Sequence, residues 1–95
     1  MIPMSLEDVA VAVAGTLVAA DPLAEITDVA VDSRAAGPGS LFVAVVGETH
    51  DGHEYAEASL TLGAVATLVS SLVAGPHILV EATVQAAGRL ARAVI

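Results

Sequence analysis

The chain has 95 residues, 56% of them hydrophobic and 15% charged, which makes one domain and excludes a disordered tail. Its formal net charge is −8, with three Arg and no Lys, so it lacks the cations that nucleic acid or an anionic lipid surface demands. It has no Cys, which excludes disulfides and thiolate chemistry, and one Phe, one Tyr and no Trp, which leaves the core to Ala, Val, Leu and Ile.

In chain order, Ser5-Leu6-Glu7-Asp8 predicts a helix start. Ser5 can cap, and the two acids sit where the helix dipole favours them. Leu6, Val9 and Val13 continue the helix and Gly15 is its natural stop. Thr16-Leu17-Val18-Ala19 reads as a short strand and Asp21-Pro22 as a turn. Residues 26–31 alternate Ile26, Asp28 and Ala30 against Thr27, Val29 and Val31, a strand with one better-buried face, ending at Asp32-Ser33-Arg34. Ala35-Ala36-Gly37-Pro38-Gly39-Ser40 is a loop by composition.

The apolar run Leu41-Phe42-Val43-Ala44-Val45-Val46 predicts a strand buried on both faces, stopping at Gly47. Glu48-Thr49-His50-Asp51-Gly52 is a polar loop, and residues 53–62 have helical spacing. Residues 65–69 form another strand, Gly75-Pro76 a turn, and Ile78-Leu79-Val80 a short strand. Thr83 is expected to cap a last helix with Val84, Ala87, Leu90, Ala91 and Val94 on one side and Arg89 and Arg92 towards its C-terminal end. That helix ends without a Gly or Pro stop, so a cut in a longer chain is expected after it. Alternating strands and helices predict an α/β domain with a largely parallel sheet.

No signal peptide is visible, because a basic start is missing and Glu7 and Asp8 come early. The longest uncharged stretch, residues 63–80, is broken by Ser70-Ser71 and Gly75-Pro76-His77 and does not read as a membrane span. A cytoplasmic location is the expectation.

A chain without Lys cannot carry a G-x-x-x-x-G-K-[ST] phosphate loop. Gly37-Pro38-Gly39 precedes a strand rather than a helix and reads as a turn, not as a phosphate cradle. Two constellations remain. Asp32-Ser33-Arg34 lies at the C-terminal end of a strand, the edge at which ligands gather in open α/β sheets. Ser33 offers a hydroxyl and an N–H, and Arg34 a fork suited to phosphate or carboxylate. Equally, Asp32 and Arg34 can pair and tie down the following loop. The second constellation is the segment 47–53. His50, Asp51, His53 and Glu54 can be read as metal ligands, but no third ligand of suitable geometry is evident, so no metal is expected. Asp51 reads more simply as a cap accepting from the N–H of His53 or Glu54. His77 is expected to be a surface or structural residue, and Phe42 and Tyr55 core. Glu25, Asp28, Glu57 and Glu81 read as solvated faces; no close carboxylate pair supports hydrolysis.

Taken together, Asp32-Ser33-Arg34, Gly37-Pro38-Gly39-Ser40-Leu41-Phe42-Val43-Ala44, Gly47-Glu48 and Asp51-Gly52-His53-Glu54-Tyr55 closely resemble the N-terminal domain of Mur ligases. Gly63-Ala64-Val65-Ala66 fits the same pattern, and the resemblance spans nearly the whole chain. It implies a small mixed, largely parallel sheet flanked by helices. It also implies the UDP-N-acetylmuramoyl-peptide-binding domain of an ATP-dependent ligase of peptidoglycan synthesis and cell wall biogenesis. Gly47-Glu48, the run from Asp51 to Ala56 and the opening Met1-Ile2-Pro3-Met4-Ser5-Leu6 look more like the member that adds D-alanyl-D-alanine to the tripeptide. The alternatives are the diamino-acid-adding sister, and a non-catalytic interaction domain whose last helix docks on a partner or on a second copy.

By the same resemblance, Val31 and Ser33 match uridine-holding positions, Glu48, Thr49 and His50 the segment lying against the nucleotide, and Arg34 and Asp51 positions that shape the site. In 48–50 the main-chain groups are expected to matter more than the side chains. No catalytic residue is implied. Residues 1–82 form the substrate-binding domain, and 83–95 a helix leading towards a central ATP- and Mg2+-binding domain that lies, with a third domain, elsewhere in the parent protein.

Overall fold

The computed structural model describes residues 2–93. The Ser5 hydroxyl accepts from the Asp8 N–H at 3.1 Å, which starts helix α1, Leu6–Val13. Before it, β1 (Met4–Ser5) pairs antiparallel with β3 (Glu25–Ile26) in a two-stranded ribbon. The main sheet contains β2 (Thr16–Val18), β4 (Asp28–Ala30), β5 (Ser40–Val43), β6 (Ala66–Val69) and β7 (His77–Leu79). Its order is β2-β7-β6-β5-β4. The strands β4 to β7 run parallel and only β2 is antiparallel, so the expected small, mixed, largely parallel sheet is present.

Both faces of β5 and β6 are buried, which is why these strands read as continuous apolar runs rather than as alternations. Leu41, Val43, Ala66, Leu68 and Ile78 point to the face covered by α1 and by α3 (Thr83–Ala93), and form the larger core with Leu6, Val9, Val13, Ala86 and Leu90. Phe42, Ala44 and Val69 point the other way into a smaller core. On that side lie a 3₁₀ turn, Gly52–Tyr55, and the short helix α2, Ala56–Thr61.

Four expectations change. Helix α1 ends at Ala14 (φ 55°), one residue before Gly15. Gly15 is needed for space instead: a Cβ there would lie 2.6 Å from Ile78 Cγ2 and 2.9 Å from Val80 Cγ1. The strand expected over 26–31 breaks at Thr27, because the N–H groups of Thr27 and Asp28 both donate to Gly39 O (2.8 and 3.3 Å). Pairing thus passes from β1 to β5, and Val29 and Val31 are exposed. The strand expected to reach Val46 ends at Val43, and Val46 is exposed.

Of the two readings of His77, surface or structural, the structural one holds: it is buried in β7, with Nδ1 2.9 Å from Gly75 O. Finally, Thr83 is the first residue of α3 and buried rather than a cap. The helix buries Thr83, Ala86 and Leu90, while Val84 and Ala91 face outwards. The i, i+3, i+7 row from Thr83 packs on α1, and of the next row only Ala87 reaches the margin of the core among the described residues. Val94, assigned to the apolar side, lies outside the described residues.

The two faces make opposite predictions. Ile78 is fully buried in the larger core, so Ile78→Ala should lower unfolding free energy by about 2–5 kcal/mol in urea titration. Thr67 is fully buried on the other face and its Oγ1 has no partner among the described residues. Thr67→Val should therefore be neutral or stabilising; a loss above about 1 kcal/mol would mean that the hydroxyl is bonded in solution.

Candidate functional site

The parallel strands end at one edge of the sheet, where two connections diverge from β4 and β5. The first is a 3₁₀ turn, Ser33–Ala35, capped by Asp32, whose Oδ1 accepts from the Arg34 N–H at 2.9 Å. The second is the loop 44–51, closed by Gly47 N–H to His50 O (2.7 Å) and Gly52 N–H to Val45 O (2.9 Å). Between them lies a cleft of about 610 Å³, lined by Val31, Asp32, Ser33 and Arg34 from the first connection and by Val45, His50, Gly52 and Tyr55 from the second. Phe42 of β5 forms its floor. A concave site at the carboxyl edge of an open α/β sheet is where such folds bind small molecules.

Val31, Ser33, Arg34 and His50 thus meet in one cavity although up to nineteen positions apart in the chain. Glu48 and Thr49 are exposed on the same loop and do not line the cavity. No main-chain hydrogen bond occupies the N–H of Glu48, Thr49 or His50 among the described residues. Asp51 does not face the cleft either. Its Oδ1 accepts from His53 N–H (3.0 Å) and lies 2.6 Å from His53 Nδ1, so it caps the 3₁₀ turn as its type and position suggest. Both ring nitrogens of His53 are engaged, Nε2 with the Ser70 N–H at 2.9 Å. Among the described residues, no three His, Asp or Glu side chains gather as metal ligands.

Two residues read as core belong to the site. Tyr55 is 40% exposed on the cleft wall, and Phe42 is buried yet contributes to the floor. Gly52 was given no role by the sequence. A Cβ on it would lie 2.7 Å from Val45 N and 3.0 Å from Ala44 Cα, so only glycine lets the loop fold back on the end of β5. The signal was present in its position after a capping aspartate, but the clash is tertiary.

The electrostatics are nearly neutral. Arg34 meets Asp32 in a two-point pair, Nη2 to Oδ2 at 2.8 Å and Nε to Oδ1 at 3.1 Å. The loop-tying alternative for Asp32 and Arg34 is therefore the one the side chains adopt. The hydrogen-bonded guanidinium, followed by the Arg34 N–H, lowers the Asp32 carboxyl from 3.8 to about 2. The pair raises Arg34 further above its already high value. Asp51 is lowered by the His53 N–H and then by the His53 ring. The Ser33 hydroxyl is half-buried and unclaimed by any hydrogen bond among the described residues.

Two measurements check this geometry. Because folding lowers the Asp32 value, the pair's contribution is complete above pH 3.8 and is lost as pH falls through about 2. A carbon-13 titration should place the Asp32 midpoint near 2 and show it rising towards 3.8 in Arg34→Ala; an ordinary midpoint in the parent chain would dissolve the pair. Gly52→Ala should displace the loop, shifting the amide signals of Val45 and His50 while leaving those of β6 and β7 in place.

Comparison with known proteins gives this cleft a context. A sequence profile described as "Mur ligase family, catalytic domain" matches residues 25–94. The UDP-N-acetylmuramoyl-tripeptide–D-alanyl-D-alanine ligase of Mycobacterium leprae is 49% identical over 49 residues, 52% of this chain and 10% of that protein. The UDP-N-acetylmuramoyl-L-alanyl-D-glutamate–2,6-diaminopimelate ligase of Listeria monocytogenes is 45% identical over 49 residues, again 52% of this chain and 10% of the relative. A crystal structure of MurF from Acinetobacter baumannii superposes with a TM-score of 0.84 at 26% identity, over 92% of this chain and 20% of the other. The chain thus spans a tenth to a fifth of the length of these relatives. The matching profile runs through both connections that wall the cleft, and the chain belongs to the Mur ligase family.

Proposed function

We propose that this chain is the substrate-holding N-terminal domain of an ATP-dependent ligase that adds D-alanyl-D-alanine to UDP-N-acetylmuramoyl-tripeptide, and that the cleft takes the uridine end of that substrate. The observation that carries the reading is the convergence of the Asp32-Ser33-Arg34 corner and the His50 loop on one cavity at the carboxyl edge of the sheet. Support for the D-alanyl-D-alanine-adding member comes from the MurF superposition over 92% of the chain. The diaminopimelate-adding sister is the second reading, favoured by the Listeria relative over half of the chain.

The chemistry of the cleft suits a neutral group. Uracil and ribose carry no charge and can be read by main-chain groups and hydroxyls. Ser33 supplies a free hydroxyl, the N–H groups of 48–50 are unclaimed on the loop, and Phe42, Val45 and Tyr55 offer apolar surface for a base. Arg34 is already paired with Asp32, and the chain's net charge of −8 repels phosphates. The diphosphate therefore falls to groups outside this chain. Residues 1–82 carry the substrate cleft, and the helix from 83 onwards leads towards the ATP-binding part of the parent protein.

ATP and Mg2+ do not fit the residues present. There is no Lys for a phosphate loop, and Gly37-Pro38-Gly39 is a tight turn packed on Thr27, where a Cβ on Gly39 would come within 2.5 Å of the Thr27 hydroxyl. No chemical step is assigned to this chain; its residues bind and orient. Transfer of the D-alanyl-D-alanine group, cytoplasmic location and peptidoglycan synthesis belong to the proposed parent enzyme.

A few net hydrogen bonds of roughly 0.5–1.5 kcal/mol each make binding by this chain alone weak, on the order of 0.1–1 mM. Adding UDP should shift the amide signals of Val31, Ser33 and residues 48–50. Ser33→Ala should weaken binding roughly 2- to 10-fold with the fold intact. Shifts confined to the far edge of the sheet, around β2, would sink the assignment.

A further inference from the structure

We infer that His53 is a positioning residue for the cleft: its neutral ring, protonated at Nδ1, fastens the loop that carries His50 to the C-terminal end of β6. The inference deepens the uridine-site reading and rests on it for its functional consequence, but the clamp itself stands on geometry alone.

The proton positions follow from the partners. The Ser70 main-chain N–H lies 2.9 Å from His53 Nε2 and can only donate, so Nε2 must present a lone pair. The ring proton is then on Nδ1, which lies 2.6 Å from Asp51 Oδ1 and donates to it. The same Oδ1 accepts from the His53 N–H, so one carboxylate fixes both the main chain and the ring of His53. The ring is 11% exposed, and the contact with Ser70 spans seventeen residues of sequence.

Where the chain leaves β5, the Ala44 N–H donates to Leu68 O of β6 at 2.9 Å; beyond Ala44 the main-chain bonds are local, Gly47 N–H to His50 O and Gly52 N–H to Val45 O. At the other end of the loop, His53 supplies the hydrogen bond to Ser70, the residue that follows β6. Gly52 before it and Tyr55 two residues on line the cleft, as does His50 across the capping Asp51. Releasing the ring would free the segment that walls one side of the cavity.

Asp51, His53 and Ser70 also have the composition of a nucleophilic triad, and the geometry argues against that role. The Ser70 Oγ is 3.3 Å from Nε2, whose lone pair already faces the closer Ser70 N–H. The ring is thus not free to take a proton from the hydroxyl. Its partners are those of an anchor.

The test uses the 95-residue chain and UDP as probe. Nitrogen-15 spectra of the parent chain should show His53 Nδ1 protonated and Nε2 unprotonated; the reverse tautomer overturns the inference, whatever UDP does. His53→Ala should speed hydrogen exchange at the Ser70 amide, move the 48–50 signals, and raise the UDP dissociation constant on the order of tenfold, the worth of one or two hydrogen bonds. His53→Gln places an amide oxygen near the position of Nε2 and should restore Ser70 protection and part of the affinity; should the alanine variant unfold, this comparison replaces it. Unchanged Ser70 exchange and unchanged UDP affinity in both variants overturn the clamp while leaving the uridine site standing. A parent chain that ignores UDP but shows the expected tautomer and Ser70 exchange keeps the clamp and removes the uridine site.

Discussion

The site depends on where β5 stops being buried. From Ser40 to Ala44 every residue is enclosed, with Leu41 and Val43 in the larger core and Phe42 and Ala44 in the smaller one. A parallel strand enclosed on both faces cannot slip by one residue without exchanging its two sets of side chains. The end of β5 is therefore fixed, and so is everything that leaves from it. The chain emerges at Val45, turns back at Gly52 against the Val45 main chain, and presents His50 across the cleft from Ser33. The cleft has a buried floor, Phe42, and walls formed by two short connections held by capping aspartates.

Those two aspartates act alike. Asp32 caps the turn at Ser33 and holds Arg34; Asp51 caps the turn at Gly52 and holds His53. Each accepts the N–H of the second residue of a 3₁₀ turn and, with the same carboxylate, orients that residue's basic side chain. The consequence differs because the partners differ. Arg34 points into solvent, 89% exposed, where an ion pair is screened and contributes little to stability. His53 is largely enclosed and reaches a second strand. One device thus leaves an exposed pair at the mouth of the cleft and an enclosed anchor behind its opposite wall.

The acidity of the chain is consistent with this division. With three cations in all, and the one in the cleft neutralised by Asp32, the domain has little to offer a phosphate. Such a surface is consistent with the uridine-holding role proposed above.

How much of this was legible in the residues varied with the range of the interaction. The Ser5 cap, the Asp51 cap and the first four residues of the apolar run expected to be buried from Leu41 to Val46 follow from short-range chemistry, and each stands where its side chain suggests. The ordered spacing of the Asp32, Gly47 and Asp51 motifs identified the family, because several short patterns in fixed order are specific when none is alone. What failed was decided by distant contacts. Gly39 O draws two N–H groups and divides a strand that alternation alone made continuous. α1 takes up the Thr83, Ala86 and Leu90 face of α3, where the apolar pattern fitted the other face equally well. The burial of His77, the exposure of Tyr55 and the reach of His53 to Ser70 depend on which strands become neighbours. Local hydrogen bonds and hydrophobic periodicity are written in consecutive residues, so the sequence by itself determined the class of fold, most of the elements and the caps at Ser5 and Asp51. The cleft and its anchor exist only once β4, β5 and β6 lie side by side, and that adjacency the tertiary structure alone decided.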